Sequence, residues 1–291
     1  MRFDHLSKIR ANLALHTNKV TANVLDGDFK SIYRGRSLDF DDLREYAYGD
    51  NIKDIDWKSS SKTGKILVRR NIAYKKHNIL FVADCGEKFS ADTSAGESKQ
   101  ELAVLSCGTV AYLVDRHGDD FAMLRNSENG YELAFFASGK EHLERVLTGY
   151  EKQVAKPARY DVDQLLRYVG EHIRRKMVIC VITDMDGLDR IGDDTLRRLT
   201  VRNDIMVINI DDAYLHGDRM YDVGRGRYED GMITHNKRLF RAEYAARQRF
   251  LEMKQDQFER YGVNMTTIKD ETEIVDRIAE LFERRKHENI G

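Results

Sequence analysis

Three acids stand directly after apolar runs that read as strands. Asp84 follows Ile79-Leu80-Phe81-Val82-Ala83, Asp184 follows Val178-Ile179-Cys180-Val181-Ile182-Thr183, and Asp211 follows Ile205-Met206-Val207-Ile208-Asn209-Ile210. In an open parallel sheet the carboxyl ends of the strands share one rim, and ligands bind there. Carboxylates gathered on such a rim offer the oxygen ligands that hard cations prefer. Asp at a strand end also caps the helix or turn that follows. Spacing leaves both readings open.

A second set of chemically capable residues lies ahead of the first of these strands. It reads Gly35-Arg36-Ser37-Leu38-Asp39-Phe40, Arg44-Glu45-Tyr46-Ala47-Tyr48-Gly49-Asp50 and Ile55-Asp56-Trp57-Lys58, with the chain's only Trp at its end. Arg36, Arg44, Asp50 and Asp56 suit buried or half-buried ion pairs of bidentate geometry. Trp57 would then anchor the segment and Gly49 would allow a tight turn. The alternative is a direct ligand-binding or catalytic role for the cluster. No Ser/His/Asp or Cys/His set is recognisable by spacing, and the nine histidines are scattered.

The elements that must position these residues follow from periodicity. Residues 4–25 carry Leu6, Ile9, Leu13, Val20 and Val24 at helical spacing. Residues 26–77 alternate short β-prone pieces with Gly and Asp turn signals, which predicts an irregular β-rich arm packed on the main domain. From residue 78 strands alternate with helices. Strands are expected at 78–84, 120–125, 131–136, 177–183, 205–210 and 263–268. Helices are expected at 98–116, 139–154, 161–175, 192–202, 237–261 and at the C-terminal end. The pair at 120–136 reads as a hairpin, and residues 214–236 read as a hairpin inserted after a strand. The long helix carries Tyr244, Leu251 and Phe258 at sevenfold spacing. Apolar strands between helices predict an α/β fold, a mainly parallel sheet with helices on both faces and one antiparallel edge. The division expected is residues 1–77 as a helix and β-rich arm, and residues 78–291 as the α/β domain.

Composition narrows the function classes. With 291 residues, 41% hydrophobic and 33% charged, the chain can bury a sizeable core and is not of a disordered class. No apolar run approaches the ~20 residues a membrane span needs. No apolar leader is visible in the first residues, and Cys85, Cys107 and Cys180 lack metal or disulfide spacing, so reduced thiols in a cytoplasmic protein are expected. Residues 1–76 hold 16 Lys/Arg against 10 Asp/Glu, a balance of +6, while the remainder holds 32 against 39, a balance of −7. Such asymmetry can act within the chain or steer a partner.

The order and spacing of the 35–58 motif, followed by a strand ending at Asp84, resemble the bacterial domain-of-unknown-function 58 family, whose core resembles the von Willebrand factor A fold. The signature residues are Gly35, Arg36, Ser37, Phe40, Arg44, Tyr46, Gly49, Asp50, Ile55, Asp56 and Trp57. The strand–helix series downstream matches in order, so the resemblance covers nearly the whole chain. Domains of the von Willebrand A type often hold Mg²⁺ in a metal-ion-dependent adhesion site that begins Asp-x-Ser-x-Ser and adds a Thr and an Asp from later loops. Here the serine positions are Gly86 and Lys88, the region near Arg159-Tyr160-Asp161 supplies no Thr, and Asp184 stands at the later Asp. The rim of this degenerate site is Asp84, Gly86, Lys88, Asp184 and Asp186. Lys88 is expected to pair with Asp84 or Asp184 where a metal would stand, so no cofactor is expected, with Mg²⁺ at Asp84 and Asp184 as the alternative. The resemblance implies a non-enzymatic interaction module that associates with MoxR-type AAA+ ATPases and related von Willebrand A-like proteins.

Two alternatives compete. Asp184-Met185-Asp186-Gly187 looks like the Asp-x-Asp-Gly opening of haloacid-dehalogenase-type phosphatases, with Asp184 as nucleophile and Asp186 as acid/base. Against it, the motif follows a middle strand, and Leu188 stands where a Thr is expected. The stretch 58–76, with Lys58, Lys62, Lys65, Arg69, Arg70, Lys75 and Lys76, could contact phosphates in a salt-dependent way. No recognition helix or stacking aromatic accompanies those charges.

Overall fold

Apolar runs too dense for simple alternation and too short for helices become the central strands of one sheet. The computed structural model describes residues 4–16, 43–48, 50, 52, 55–69, 78–212, 215–216, 219–222, 227–230 and 237–288. Gly35, Arg36, Ser37, Phe40 and Gly49, the expected helical stretch 17–25, and Arg70, Lys75 and Lys76 lie outside the described residues.

In chain order the elements begin with α1 (Asp4–His16), β1 (Leu43–Glu45), α2 (Trp57–Thr63) and β2 (Leu67–Arg69). Then come β3 (Asn78–Ala83), α3 (Lys99–Arg116), the β4 (Asp120–Ser127) and β5 (Gly130–Ala137) pair, α4 (Lys140–Gln153) and α5 (Val162–His172). The second half holds β6 (Val178–Asp184), α6 (Met185–Arg190), α7 (Asp193–Thr200) and β7 (Asp204–Ile210). It closes with β8 (Leu215–His216), β9 (Arg219–Asp222), β10 (Arg227–Asp230), α8 (Lys237–Glu259), β11 (Asn264–Ile268) and α9 (Ile274–Glu288).

The main sheet has the order β11-β7-β6-β3-β4-β5. Every neighbouring pair is parallel except β4–β5, which forms the expected antiparallel edge. The two-residue period of each strand divides its side chains between two cores. Phe81, Ala83, Cys180, Ile182 and Ile208 face α1, α3, α4 and α9. Leu80, Val82, Ile179, Val181 and Val207 face α5, α6, α7 and α8. Strands covered on both faces must be apolar throughout, which is why β3 and β6 read as continuous hydrophobic runs.

Successive connections from β3 run first to β4 on one side and later to β6 on the other. The chain therefore reverses its winding at β3, and the crevice of such a sheet opens between the carboxyl ends of β3 and β6. The loop after β3 spans part of that rim. Thr93 Oγ1 donates to the Lys269 carbonyl at 2.6 Å, and the Ser94 N–H donates to Asp211 Oδ2 at 3.1 Å.

α1 belongs to the core on the α3 side rather than to a separate arm. Leu6 and Ile9 are buried there. The buried Glu144 carboxylate accepts the His5 and Leu6 N–H groups at 2.9 and 3.1 Å, satisfying donors a helix start leaves open. A Cβ at Gly108 would come within 2.6 Å of Ile9 Cδ1, so glycine sets the approach of α1 to α3.

The structure corrects several expectations. Residues 57–63 are helical rather than β-rich, because Asp56 accepts the Ser59 N–H at 3.0 Å as N-cap and Gly64 closes the helix in the left-handed conformation. The excursion at 214–236 contains a three-stranded antiparallel ribbon, β10-β9-β8, rather than a single hairpin. Tyr244 does not continue the buried stripe of Phe258, being exposed on α8. α6, unforeseen, starts directly from the end of β6, with Asp184 as its cap. Among the described residues no helix is long and apolar enough to cross a membrane.

Candidate functional site: the carboxyl rim and the signature arm

β3 and β6 deliver Asp84 and Asp184 side by side, and both carboxylates are almost fully buried. A short helical turn at Glu87–Ser90 swings Lys88 back over them. Its Nζ lies 2.7 Å from Asp84 Oδ2, 2.9 Å from Asp184 Oδ1 and 3.4 Å from Asp186 Oδ2. Lys99, at the start of α3, sends a second ammonium from below. Its Nζ lies 2.7 Å from Asp184 Oδ2 and also bonds Asp212 Oδ1. Both ammoniums sit over the buried Phe89 ring, 5.7 and 5.3 Å from its centroid.

Neutral donors complete the network. Thr183 Oγ1 donates to Asp84 Oδ2 at 2.7 Å and Asn126 Nδ2 to Asp84 Oδ1 at 3.2 Å. The Tyr150 hydroxyl donates to the Asp84 carbonyl at 3.2 Å. Gly187 N–H donates to Asp184 Oδ1 at 3.1 Å and Met185 N–H to Asp212 Oδ2 at 3.0 Å. Gly187 is required by close approach. A Cβ there would overlap the Thr183 hydroxyl and lie 2.7 Å from Asp84 Oδ2.

Charge and burial act against each other here. Burial alone would lower the Lys88 pKa, but Asp184 and Asp84 raise it well above the ordinary lysine value. Lys99 behaves likewise between Asp184 and Asp212. Burial would raise Asp184, yet the two ammoniums hold it well below the ordinary carboxylate range. Asp212 goes the other way, pushed up to about 6 by burial, with the charge of Asp184 adding to it and Lys99 opposing it.

The expected rim residues Asp84, Lys88, Asp184 and Asp186 come together. Gly86 contributes backbone, its N–H donating to the Val154 carbonyl at 2.8 Å. Asp211 turns away to Ser94. Sequence reasoning missed Lys99, Asp212, Thr183 and Asn126. Asp212 had a signal, as the second acid after β7; Lys99 had none, since a lysine in a first helical turn is ordinarily solvated.

A cleft of about 380 Å³ opens beside Lys88. Asp186, Arg190, Arg159, Tyr160 and Gln164 wall it. The Arg159 guanidinium lies over the Tyr160 ring at 5.3 Å, and Arg190 pairs with Asp186 at 3.3 Å.

A divalent cation needs free oxygen lone pairs and no fixed positive charge at its position. Both oxygens of Asp84 and both of Asp184 already accept from donors, and the Lys88 ammonium occupies the point where three carboxylates converge. These residues do not fit Mg²⁺. Asp184 is equally ill placed as a phosphoryl-accepting nucleophile, being buried, capping α6 and bonded to two ammoniums.

The signature segment is organised differently. Arg44 pairs with Asp50 Oδ1, and Asp50 Oδ2 accepts the Ala47 N–H at 2.9 Å. That backbone bond, with Arg44, holds the Asp50 carboxyl below its usual value. Ile55 bridges to Val68 beside the antiparallel β1–β2 ribbon. Trp57, expected to anchor the segment, is 65% exposed at the start of α2. Tyr48, Ile52 and Ile66 are also more than half exposed, and Tyr46 stands at 36%. Of the basic stretch, Lys58 and Lys62 lie on α2, and Lys65 pairs with Glu45.

A parallel α/β sheet with internally neutralised strand-end acids, preceded by an aromatic-bearing arm, defines the class. The chain belongs to the family described as "Protein of unknown function DUF58", whose model matches residues 42–260. It is 23% identical over 204 residues to uncharacterized protein Rv1480 of Mycobacterium tuberculosis, a match covering 68% of this chain and 64% of that protein. The chain thus spans a little under two thirds of the length of the curated relatives it matches. Among solved structures it is similar to the conserved hypothetical protein BatB from Bacteroides thetaiotaomicron, at 10% identity, a TM-score of 0.45, and coverage of 72% of this chain and 98% of that one. A von Willebrand factor type A structure from Catenulispora acidiphila is also similar, at 10% identity, a TM-score of 0.42, and coverage of 76% and 44%.

Proposed function

We propose that this chain is a non-enzymatic protein-interaction module that works with a MoxR-type AAA+ ATPase in assembly, maturation or stress response. The observation that carries the interaction role is the exposed apolar set Tyr48, Ile52, Trp57 and Ile66 within the signature segment. Exposed aromatic and aliphatic side chains held on a small ordered scaffold are the usual anchors of protein contacts. The rim supports the non-enzymatic part, because the buried carboxylates of Asp84 and Asp184 are bonded to internal donors on both oxygens and neither is placed to attack a substrate. The choice of a MoxR-type partner rests on family resemblance alone.

The test uses a purified hexameric MoxR-type ATPase. The protein should co-elute with it in size-exclusion chromatography and change its ATP turnover, and Trp57→Ala should abolish both effects. Absence of co-elution and of any change in turnover would remove the partner. Mg²⁺-dependent hydrolysis of p-nitrophenyl phosphate, lost in Asp184→Asn, would replace the reading with a phosphatase.

A further inference from the structure

We propose that the cleft between α1 and the first turns of α3 is a docking site for a basic amphipathic helix of a partner protein. The cleft holds about 530 Å³ and shares no lining residue with the rim cleft or the signature segment. Its wall runs along α1 from His5 to Leu15, about 15 Å at the rise of a helix, so it is a trough rather than a pit. Ile9, Leu102 and Leu147 form a buried apolar floor. The half-buried Leu105 and the 79% exposed Leu15 extend that surface outward. A trough of this length between two helices suits a third helix that lays apolar side chains into it at i, i+3, i+4 and i+7.

The charge of the lining decides which helix. Glu97, Glu101, Glu151 and Glu271 stand along the trough against Lys8 and His5. Glu151 faces His5 Nε2 at 3.4 Å, while Glu97, Glu101 and Glu271 pair with no lysine or arginine among the described residues. Burial pushes the Glu97 pKa up, against the Glu271 N–H that it accepts at 2.9 Å, and the charges of Asp270, Glu271 and Glu101 add to the rise. Acids that repel one another along an apolar trough are relieved by lysine or arginine on the flanks of an incoming helix. Asn12 supplies an independent sign at the Glu271 end. It is 1% exposed, its Nδ2 donates to the Glu271 carbonyl at 3.3 Å and to Glu271 Oε1 at 3.1 Å, and its Oδ1 accepts no hydrogen bond among the described residues. An occupant that brings N–H donors to that end would relieve an oxygen that is costly to leave buried and unmet. This site goes beyond the signature segment and stands whether or not the ATPase partnership does.

The experiment is fluorescence anisotropy of the full chain with a labelled helical peptide of about 14 residues, four turns long, with leucine at i, i+3, i+4 and i+7 and lysine elsewhere. The chain should bind it one to one, and amide shifts in an NMR titration should cluster on α1 and the first half of α3. The same peptide with glutamate in place of lysine should bind at least about tenfold more weakly. Ala11→Trp sets a large ring on the exposed wall of α1 and should remove binding. Glu101→Gln combined with Glu151→Gln should weaken it roughly two- to thirtyfold, the loss of two exposed ion pairs. All three positions are exposed, and thermal melts read in parallel should match the natural chain. No saturable binding below about 1 mM, equal affinity for the two peptides, or shifts centred on residues 43–69 or on the rim would overturn the proposal. So would a chain that dimerises on its own and loses the dimer in Ala11→Trp, since a second copy would then fill the trough.

Discussion

Lys99 Nζ lies 2.7 Å from Asp184 Oδ2, with both side chains 1% exposed, so a helix start and a strand end are joined by a charge pair sealed from water. Such a pair adds little compared with an apolar substitute, but removing one partner strands the other. Lys99→Met should lower the unfolding free energy by about 3–5 kcal/mol, measured by urea denaturation. Adding Asp184→Asn and Asp212→Asn to that variant should recover much of the loss. A single Lys99→Met that melts like the natural chain would contradict the pairing.

Gly187 admits no side chain beside the Thr183 hydroxyl. Gly187→Ala should destabilise by about 1–3 kcal/mol, the usual cost of overpacking. In a Thr183→Ala background the same change should cost less, because its nearest obstacle is gone and the Asp84 carboxylate oxygen at 2.7 Å remains. Additive costs in the two backgrounds would show that the Cβ clashes elsewhere.

The buried Glu144 carboxylate holds the first turn of α1 through two N–H groups. Glu144→Ala should cost about 1–3 kcal/mol through the unsatisfied donors. Hydrogen exchange should report the loss locally, with α1 amides exchanging faster while β3 and β6 amides stay protected.

His142 is buried, with Nε2 facing the Phe121 carbonyl at 3.0 Å and Nδ1 facing Arg145 at 3.0 Å. Burial lowers its pKa, the Phe121 carbonyl opposes that, and Arg145 lowers it further. The folded state therefore binds this proton less readily than the unfolded chain. Stability from this group is present above the ordinary histidine value of about 6.5 and is lost as pH falls through the folded value. Asp212, raised to about 6, acts with the opposite sign, since its ionised form is disfavoured in the fold and stability falls as pH rises from about 3.8 towards 6. The difference in melting between the natural chain and His142→Gln isolates the histidine. The natural chain's advantage should shrink from pH 7.5 to 5, and a constant difference would refute the assignment.

Trp57 and Tyr48 contribute exposed surface and little packing. Trp57→Ala and Tyr48→Ala should leave stability within about 0.5 kcal/mol. In the proposed complex each should weaken affinity at least about tenfold, read by biolayer interferometry. Unchanged affinity would move the contact away from the arm.

Much of the sheet was legible because a strand covered on both faces must be apolar, and β3, β6 and β7 advertise that in six- and seven-residue runs. Asp84 and Asp184 could be found because each interrupts such a run. Lys99 could not, since its partners are fixed only when α3 crosses beneath two strands distant in sequence. Asp211 looked the more natural site residue than Asp212, but successive side chains at a strand end point in opposite directions, so one meets Ser94 and the next meets Lys99. The helix at 57–63 was readable in principle from Asp56 and Gly64, its N-cap and C-terminal glycine. Its polar run, Lys58-Ser59-Ser60-Ser61-Lys62, has no apolar period to announce it. Trp57 was expected to anchor the segment because a lone Trp in a polar motif suggests packing, whereas it stands 65% exposed at the start of α2.

At the antiparallel edge, Phe121 pairs with Ala137 and Met123 with Ala134, so two residues of β5, Phe135 and Phe136, stand opposite Ala122 alone. An inserted residue of this kind coils the outer strand and breaks the even spacing of its outward amides and carbonyls. A straight foreign strand laid along β5 would lose register at that end of the strand. The last strand on that side thus carries its irregularity near its C-terminal end, with Phe135 in solvent there, a feature of the kind that interrupts edge-to-edge pairing.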